Sequence, residues 1–276
     1  MKAVIVTLIM ALVLILSAGC QGTDSSRLGV VTSTSLIASI VERVGGDRVG
    51  ITNLIPPAQC PGHFDVTPGD VRKLADADIF FYHGWQGETF SEELISSAKN
   101  PGLTVVNLQI QGNWLVPGVH LQAIDLITEA LAELDPDGSE EYRAAASEYK
   151  NSVQAAEVEF RNRLEREHLE DIRILGAEML DGFLEWTGLD LIATYGRADS
   201  LTPQVVRVLV DTAREAQVSL IVDNLQSGQD TGAGMAQDLN CARVVLTNFP
   251  GGFPNTDTWE KTVDHNLELI LGVLGR

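Results

Sequence analysis

The chain has 276 residues, 45% of them hydrophobic and 21% charged, and a formal net charge of -19 at pH 7. Such a surplus of carboxylates excludes nucleic acid as a partner, because phosphates need Lys and Arg, and it keeps the soluble part off anionic lipid heads. The length suits one large domain or two lobes.

The chain opens on one basic residue, Lys2, and an apolar run over 3–16, followed by Ser17-Ala18-Gly19-Cys20. A basic tip, a short apolar stretch and small residues at a cut site read as a secretory signal. The run falls short of the roughly 20 apolar residues of a membrane span. Its last four residues resemble a bacterial lipobox, which implies cleavage before Cys20 and a diacylglycerol on its sulfur. More than one acyl chain gives stable anchoring. The expected layout is a lipoprotein signal over 1–19 and a polar tether over 20–27, with the mature chain extracytoplasmic and lipid-anchored to the cell membrane through Cys20. An uncleaved anchor helix would change the tether and not the compartment. Cys60 and Cys241 are the other cysteines; export permits a bond between them, and sequence leaves open whether they pair.

From residue 28 the pattern alternates. Strands are expected over 28–33, 49–54, 79–82 and 104–107, with helices over 34–45, 69–75, 92–98 and 120–133 and a loop over 58–68. Gly45-Gly46 and Pro56-Pro57 punctuate the first two elements. A charged helix over 139–167 follows, with a sparse apolar stripe of Tyr142, Ala145, Tyr149, Val153, Ala156, Phe160 and Leu164. One narrow buried stripe and no internal turn signal describe a rigid spine. Alternation then resumes, with strands over 172–176, 191–194, 219–222 and 243–246 and helices over 180–187, 203–216, 232–239 and 258–274. Such alternation implies parallel sheets covered on both faces. The expected fold is α/β: a first lobe over 28–138, a linking helix over 139–168 and a second lobe over 169–276, a helical-backbone periplasmic-binding-protein-like plan.

Several local motifs carry a family resemblance: Val31-Thr32-Ser33-Thr34-Ser35-Leu36-Ile37-Ala38, Gly45-Gly46-Asp47-Arg48-Val49, Leu54-Ile55-Pro56-Pro57, and above all the stretch from Phe64 to Asp78. Trp114-Leu115-Val116-Pro117 and Ala132-Glu133-Leu134-Asp135-Pro136 are weaker echoes. Together they resemble the zinc- and manganese-receptor (ZnuA/TroA-like) lipoproteins of ABC importers. The resemblance implies a metal-binding receptor that hands its cargo to a membrane permease. An ungapped reading places the four family ligand positions at Gly62, Gly112, Ala177 and near Thr247, none of them a ligand. The resemblance therefore implies the fold and role more firmly than the usual metal site.

The residues offer a replacement set. Cys60 and His63 lie three apart in one loop, and thiolate plus imidazole suits a transition metal, zinc first. His83 follows a strand, where ligands of open α/β sheets gather, and His120 stands where the next helix begins. Glu178 and Asp223 end strands of the second lobe and can close from across a cleft. Each also has a plain structural reading: a small buried thiol, a turn or core histidine, a capping acid. Tyr82, Trp85, Trp114 and Phe253 either line a pocket for a bulkier ligand, such as a small metal complex, or pack the core.

Three functions compete on this evidence. The first is a solute-binding lipoprotein of an ABC importer, taking a transition metal ion or metal complex between the lobes. The second is a surface metalloenzyme; HExxH, GxSxG and P-loop motifs are missing, so the expectation is no enzyme. The third is an adhesin or scaffold with a degenerate metal site.

Overall fold

The computed structural model describes residues 27–84 and 88–275. Two four-stranded parallel sheets make up the core of the molecule. The first contains β1 (Leu28–Thr32), β2 (Val49–Asn53), β3 (Ile79–Tyr82) and β4 (Thr104–Asn107) in the order β2-β1-β3-β4. The second contains β5 (Arg173–Ala177), β6 (Asp190–Tyr195), β7 (Leu220–Asn224) and β8 (Ala242–Leu246) in the order β6-β5-β7-β8. The two orders are equivalent, so the lobes repeat one topology although their sequences show no repeat. Each sheet reverses its winding beside its central strand, at β1/β3 and β5/β7, and such a switch point opens a crevice beyond the strand ends.

The helices follow from apolar spacing and caps. α1 (Ser35–Gly45) buries Leu36, Ile37, Ile40, Val41 and Val44 on one face. α2 (Pro68–Ala75) starts with a capping box, in which the Thr67 hydroxyl accepts from the Asp70 amide and the Asp70 carboxylate accepts from the Thr67 amide, satisfying two otherwise orphaned donors. α3 spans Phe90–Ala98 and α4 Pro117–Leu134. The expected start of α4 at His120 is three residues late, because a proline fits the first turn, where no amide donor is needed.

The spine, α5 (Ser139–Glu167), runs 29 residues, about 44 Å at 1.5 Å per residue. Its buried stripe is Tyr142, Ala146, Tyr149, Val153, Phe160 and Leu164; Ala146, not the expected Ala145, keeps the spacing nearest 3.6. The second lobe adds α6 (Asp181–Thr187), α7 (Pro203–Glu215), α8 (Leu225–Gly228), α9 (Ala233–Leu239) and α10 (Trp259–Val273). α10 packs back onto the first lobe. The Trp259 indole is fully buried and donates to the Trp114 carbonyl at 3.0 Å. One continuous apolar cluster, including Ile37, Trp114, Tyr149, Trp259 and Leu267, therefore joins both lobes to the spine.

Candidate ligand site between the lobes

The strand ends of the two sheets meet at a cavity of about 250 Å³. The first lobe contributes Cys60 and Pro61 from the loop after β2. The second contributes Glu178 and Met179 after β5, Arg197 after β6, and polar side chains after β7 and β8, with Phe249 as an apolar wall.

The first-lobe wall is shaped by a short 3-10 turn, Pro61–His63, which Cys60 precedes in extended conformation. Gly62 is in the middle of this turn and faces the second lobe. A Cβ at Gly62 would collide with the guanidinium of Arg197, which reaches across from the second lobe. Arg197 donates to the Cys60 sulfur at 3.5 Å, and its Nε stands 3.9 Å from Asp199. At the rim His63 Nε2 lies 3.6 Å from the Asp199 carboxylate, with both side chains largely in solvent.

The floor of the site is made of neutral amides. Asn113 Nδ2 donates to Asn248 Oδ1 at 2.8 Å and to the Met179 carbonyl at 2.9 Å. Asn248 Nδ2 donates to the same carbonyl at 2.8 Å. Gln226 Nε2 donates to the Pro57 carbonyl at 2.7 Å and to Thr247 Oγ1 at 2.8 Å. Its Oε1 accepts from Asn224 Nδ2 and from the Asn248 amide, each at 3.1 Å, so the Gln226 amide makes all four of its bonds. Ser35 Oγ donates to the Pro250 carbonyl at 2.7 Å. Asn113, Gln226 and Ser35 thus each stitch one lobe to the other, and none of these bonds involves a charge.

The six expected ligand residues do not gather. Cys60 and Glu178 line the cavity, and His63 stands at its rim. His83 and His120 are in the first-lobe core, each fully buried. His83 Nε2 is 2.9 Å from Thr34 Oγ1 and its ring meets Trp114 edge-on at 4.4 Å. His120 Nε2 is 2.8 Å from the Tyr149 hydroxyl and its ring stacks on Trp259 at 4.9 Å. Burial pushes both imidazoles down to about 3, so both are neutral. The expected first-lobe set of Cys60, His63, His83 and His120 therefore does not assemble, because aromatic packing takes the two inner histidines away from the cleft.

Asp223 is equally committed. It is fully buried, pairs with Arg243 Nε at 2.6 Å, and accepts from the Tyr195 hydroxyl and the Gly232 amide at 2.7 Å each. Among the described residues no three His, Cys, Asp or Glu side chains stand close enough to share a metal ion. Cys60 and Cys241 are both free thiols. Trp114 belongs to the core, Tyr82 stacks on Phe80 at 5.4 Å, and Phe253 lies against His265 at 5.3 Å. Cys20 and Trp85 lie outside the described residues.

The positions read as the family's ligand places have structural reasons for what they hold. Gly112 has φ of 101°, a region that disfavours any side chain. Thr247 is fully buried, its amide and carbonyl both bonded to the Asn266 side chain. One residue beyond each stand Asn113 and Asn248, the pair that closes the cleft. Their adjacency to two family positions was the available signal; nothing local marked Gln226 or Arg197.

Comparison with known proteins decides the family. The model of "ZnuA: Zinc-uptake complex component A periplasmic" matches residues 30–272. The chain belongs to the ZnuA family. Family membership sets the metalloenzyme reading aside, since these are uptake components and not enzymes. A manganese-binding lipoprotein MntA from Halalkalibacterium halodurans is 26% identical over 57% of this chain and 58% of its own length. The manganese ABC transporter substrate-binding lipoprotein PsaA from Streptococcus pneumoniae is 25% identical over 90% of this chain and 89% of its own. Among solved structures, the periplasmic zinc binding protein TroA from Treponema pallidum superimposes with a TM-score of 0.80 at 18% identity, over 91% of this chain and all of its own. A cadmium-bound periplasmic metal binding protein from Candidatus Liberibacter asiaticus gives 0.78 at 20% identity, over 90% of this chain and all of its own. These structures share the fold: two parallel α/β lobes about a long helix.

Proposed function

We propose that the protein is the solute-binding lipoprotein of an ABC importer, tethered outside the cytoplasmic membrane by lipid on Cys20, and that it carries a transition metal, as ion or small complex, between its lobes to a membrane permease. The observation that carries this is the cavity at the facing strand ends of two equivalent lobes, in a chain of the zinc-uptake family. Relatives named for manganese binding and for ABC transport support the cargo class and the permease partner. Of the residues anticipated from sequence, Cys60 and Glu178 in the wall are the donors placed to touch a cargo, with His63 at the rim.

The spine and the shared core favour small lobe movements. Delivery then depends on breaking the few hydrogen bonds across the cleft, such as Asn113 to Asn248, when the permease engages both lobes.

Reconstitution tests the proposal. The full lipoprotein is added to liposomes carrying a metal-type ABC permease and ATPase from the same organism. ATP hydrolysis is expected to rise several-fold, and Cys20→Ala is expected to shift the protein from the membrane to the soluble fraction. Absence of stimulation by lipid-bearing protein would refute the importer assignment.

A further inference from the structure

A guanidinium carries five N–H donors in a rigid fork suited to a carboxylate. Arg197 spends them poorly. Among the described residues its hydrogen bond is to a sulfur at 3.5 Å, and the carboxylate within ion-pair reach, on Asp199, is at 3.9 Å. The side chain is 34% exposed and lines the cavity, within reach of a solute there.

The guanidinium also reaches across the cleft. At Gly62, the position that the family resemblance assigns to a metal-binding histidine, an added Cβ would meet the tip of the Arg197 side chain and push it aside. A cation stands beside the place where a ligand for a cation was expected. A bare divalent ion in this cavity would be repelled by Arg197, and among the described residues no three His, Cys, Asp or Glu side chains stand together to compensate. The remaining wall is mixed. Glu178 supplies one carboxylate and Cys60 one thiol, while Pro61, Met179 and Phe249 are apolar. The amides of Gln226 and Asn248 are already bonded within the protein, leaving Arg197 as the strong unspent donor.

We infer that the cleft accepts a small carboxylate-bearing solute, bound through its carboxylate to Arg197, either free or as the chelator of the imported metal. This deepens the importer reading and rests on it. In the chelated form the cargo brings most of its own ligands, and Cys60 and Glu178 need supply only the last donors to the metal. That accounts for a chain of a metal-receptor family with two cavity donors instead of four. It also gives a role to the approach of Arg197 to Gly62 across the cleft.

Calorimetry on the full, EDTA-treated lipoprotein in detergent tests this. The probes are zinc chloride alone, a panel of small carboxylates alone (citrate, malate, histidine), and the same carboxylates preloaded with one equivalent of zinc. Wild type is expected to bind at least one carboxylate or its zinc complex and to give no saturable heat with zinc chloride. Binding by the free carboxylate at full strength identifies a free acid as cargo; binding only when zinc is present identifies the chelate. Arg197→Met is expected to weaken that binding at least tenfold. Gly62→Ala, which keeps the charge and displaces the guanidinium, is expected to weaken it likewise. Tight binding of zinc chloride alone, unchanged or improved in Arg197→Met, would overturn the inference and leave the importer reading intact. So would failure of the whole panel to bind a protein that still stimulates its permease. Loss of permease stimulation is the separate outcome that removes the importer reading itself.

Discussion

Replacing Asn113 by Ala removes the amide that most directly joins the lobes at the cleft. The side chain donates to Asn248 Oδ1 and the Met179 carbonyl and accepts from the Leu115 amide at 2.9 Å. The Met179 carbonyl keeps its bond from Asn248, so that loss is modest. Asn248 Oδ1, however, loses its protein partner inside a buried pocket. Intramolecular hydrogen bonds contribute about 1 kcal/mol each, and a stranded buried acceptor costs about 1–3 kcal/mol more. Together these give about 3 kcal/mol of destabilisation, which for a chain of this size is roughly 6–12 °C in Tm. Thermal melts and urea titrations of Asn113→Ala measure it, and a double-mutant cycle with Asn248→Ala isolates the pair, with an expected coupling of at least about 1 kcal/mol. A Tm change under about 2 °C with no coupling would refute the view that neutral amides hold the lobes together.

Other expectations follow from the buried charged and titratable groups. Asp223→Ala leaves the buried Gly232 amide without its acceptor and removes one of the two carboxylates on Arg243, which keeps Asp230, and should cost about 1–3 kcal/mol in urea unfolding; a loss below about 0.5 kcal/mol would contradict a structural role for this carboxylate. Acid should destabilise the fold in a defined way. His83 and His120 have folded values pushed by burial from 6.5 to about 3, so their contribution is complete above pH 6.5 and declines as pH falls, by about 1.4 kcal/mol per pH unit for each. Glu88 opposes them. It is buried, with its carboxylate accepting from Ser33 Oγ at 2.6 Å and the His83 amide at 2.7 Å, and burial outweighs those bonds and lifts it from 4.5 to about 7. Its contribution therefore falls as pH rises from 4.5 to 7 and offsets one histidine. Wild type should lose about 1.4 kcal/mol between pH 6 and pH 5, and Glu88→Gln about twice that; equal slopes in urea titrations at the two pH values would contradict the assignment.

The fold was legible because its signals are local. The short apolar run in Leu28–Thr32 and the glycines that end α1 each act within a few residues, whereas the cap at Thr67 sets the start of α2 one residue before the expected 69. The spine was legible for the same reason: Tyr142, Tyr149, Val153, Phe160 and Leu164 repeat at helical spacing. The site was less legible because its determinants are distant in sequence. His83 and His120 follow a strand and a loop, as cleft residues do. What removes them from the cleft is packing against Trp114 and Trp259, and no local pattern announces it. Asp223 ends a strand, but its partner Arg243 comes from the neighbouring strand β8. The fit of Gly62 to Arg197 links positions that only the closed cleft brings together. The family likeness supplied the right places to look and, one residue further along, Asn113 and Asn248 supplied the chemistry.

The central claim is that the chain's own amides close the gap between the lobes and that Arg197 lines the cavity there, where among the described residues no three His, Cys, Asp or Glu side chains stand close enough to share a metal ion. Anomalous diffraction at the zinc edge, from crystals grown in excess zinc chloride without any chelating carboxylate, tests it most directly. The account predicts no zinc peak between Cys60 and Glu178 and an intact Asn113–Asn248 bond. A zinc ion coordinated there, with Arg197 swung out of the cavity, would contradict it.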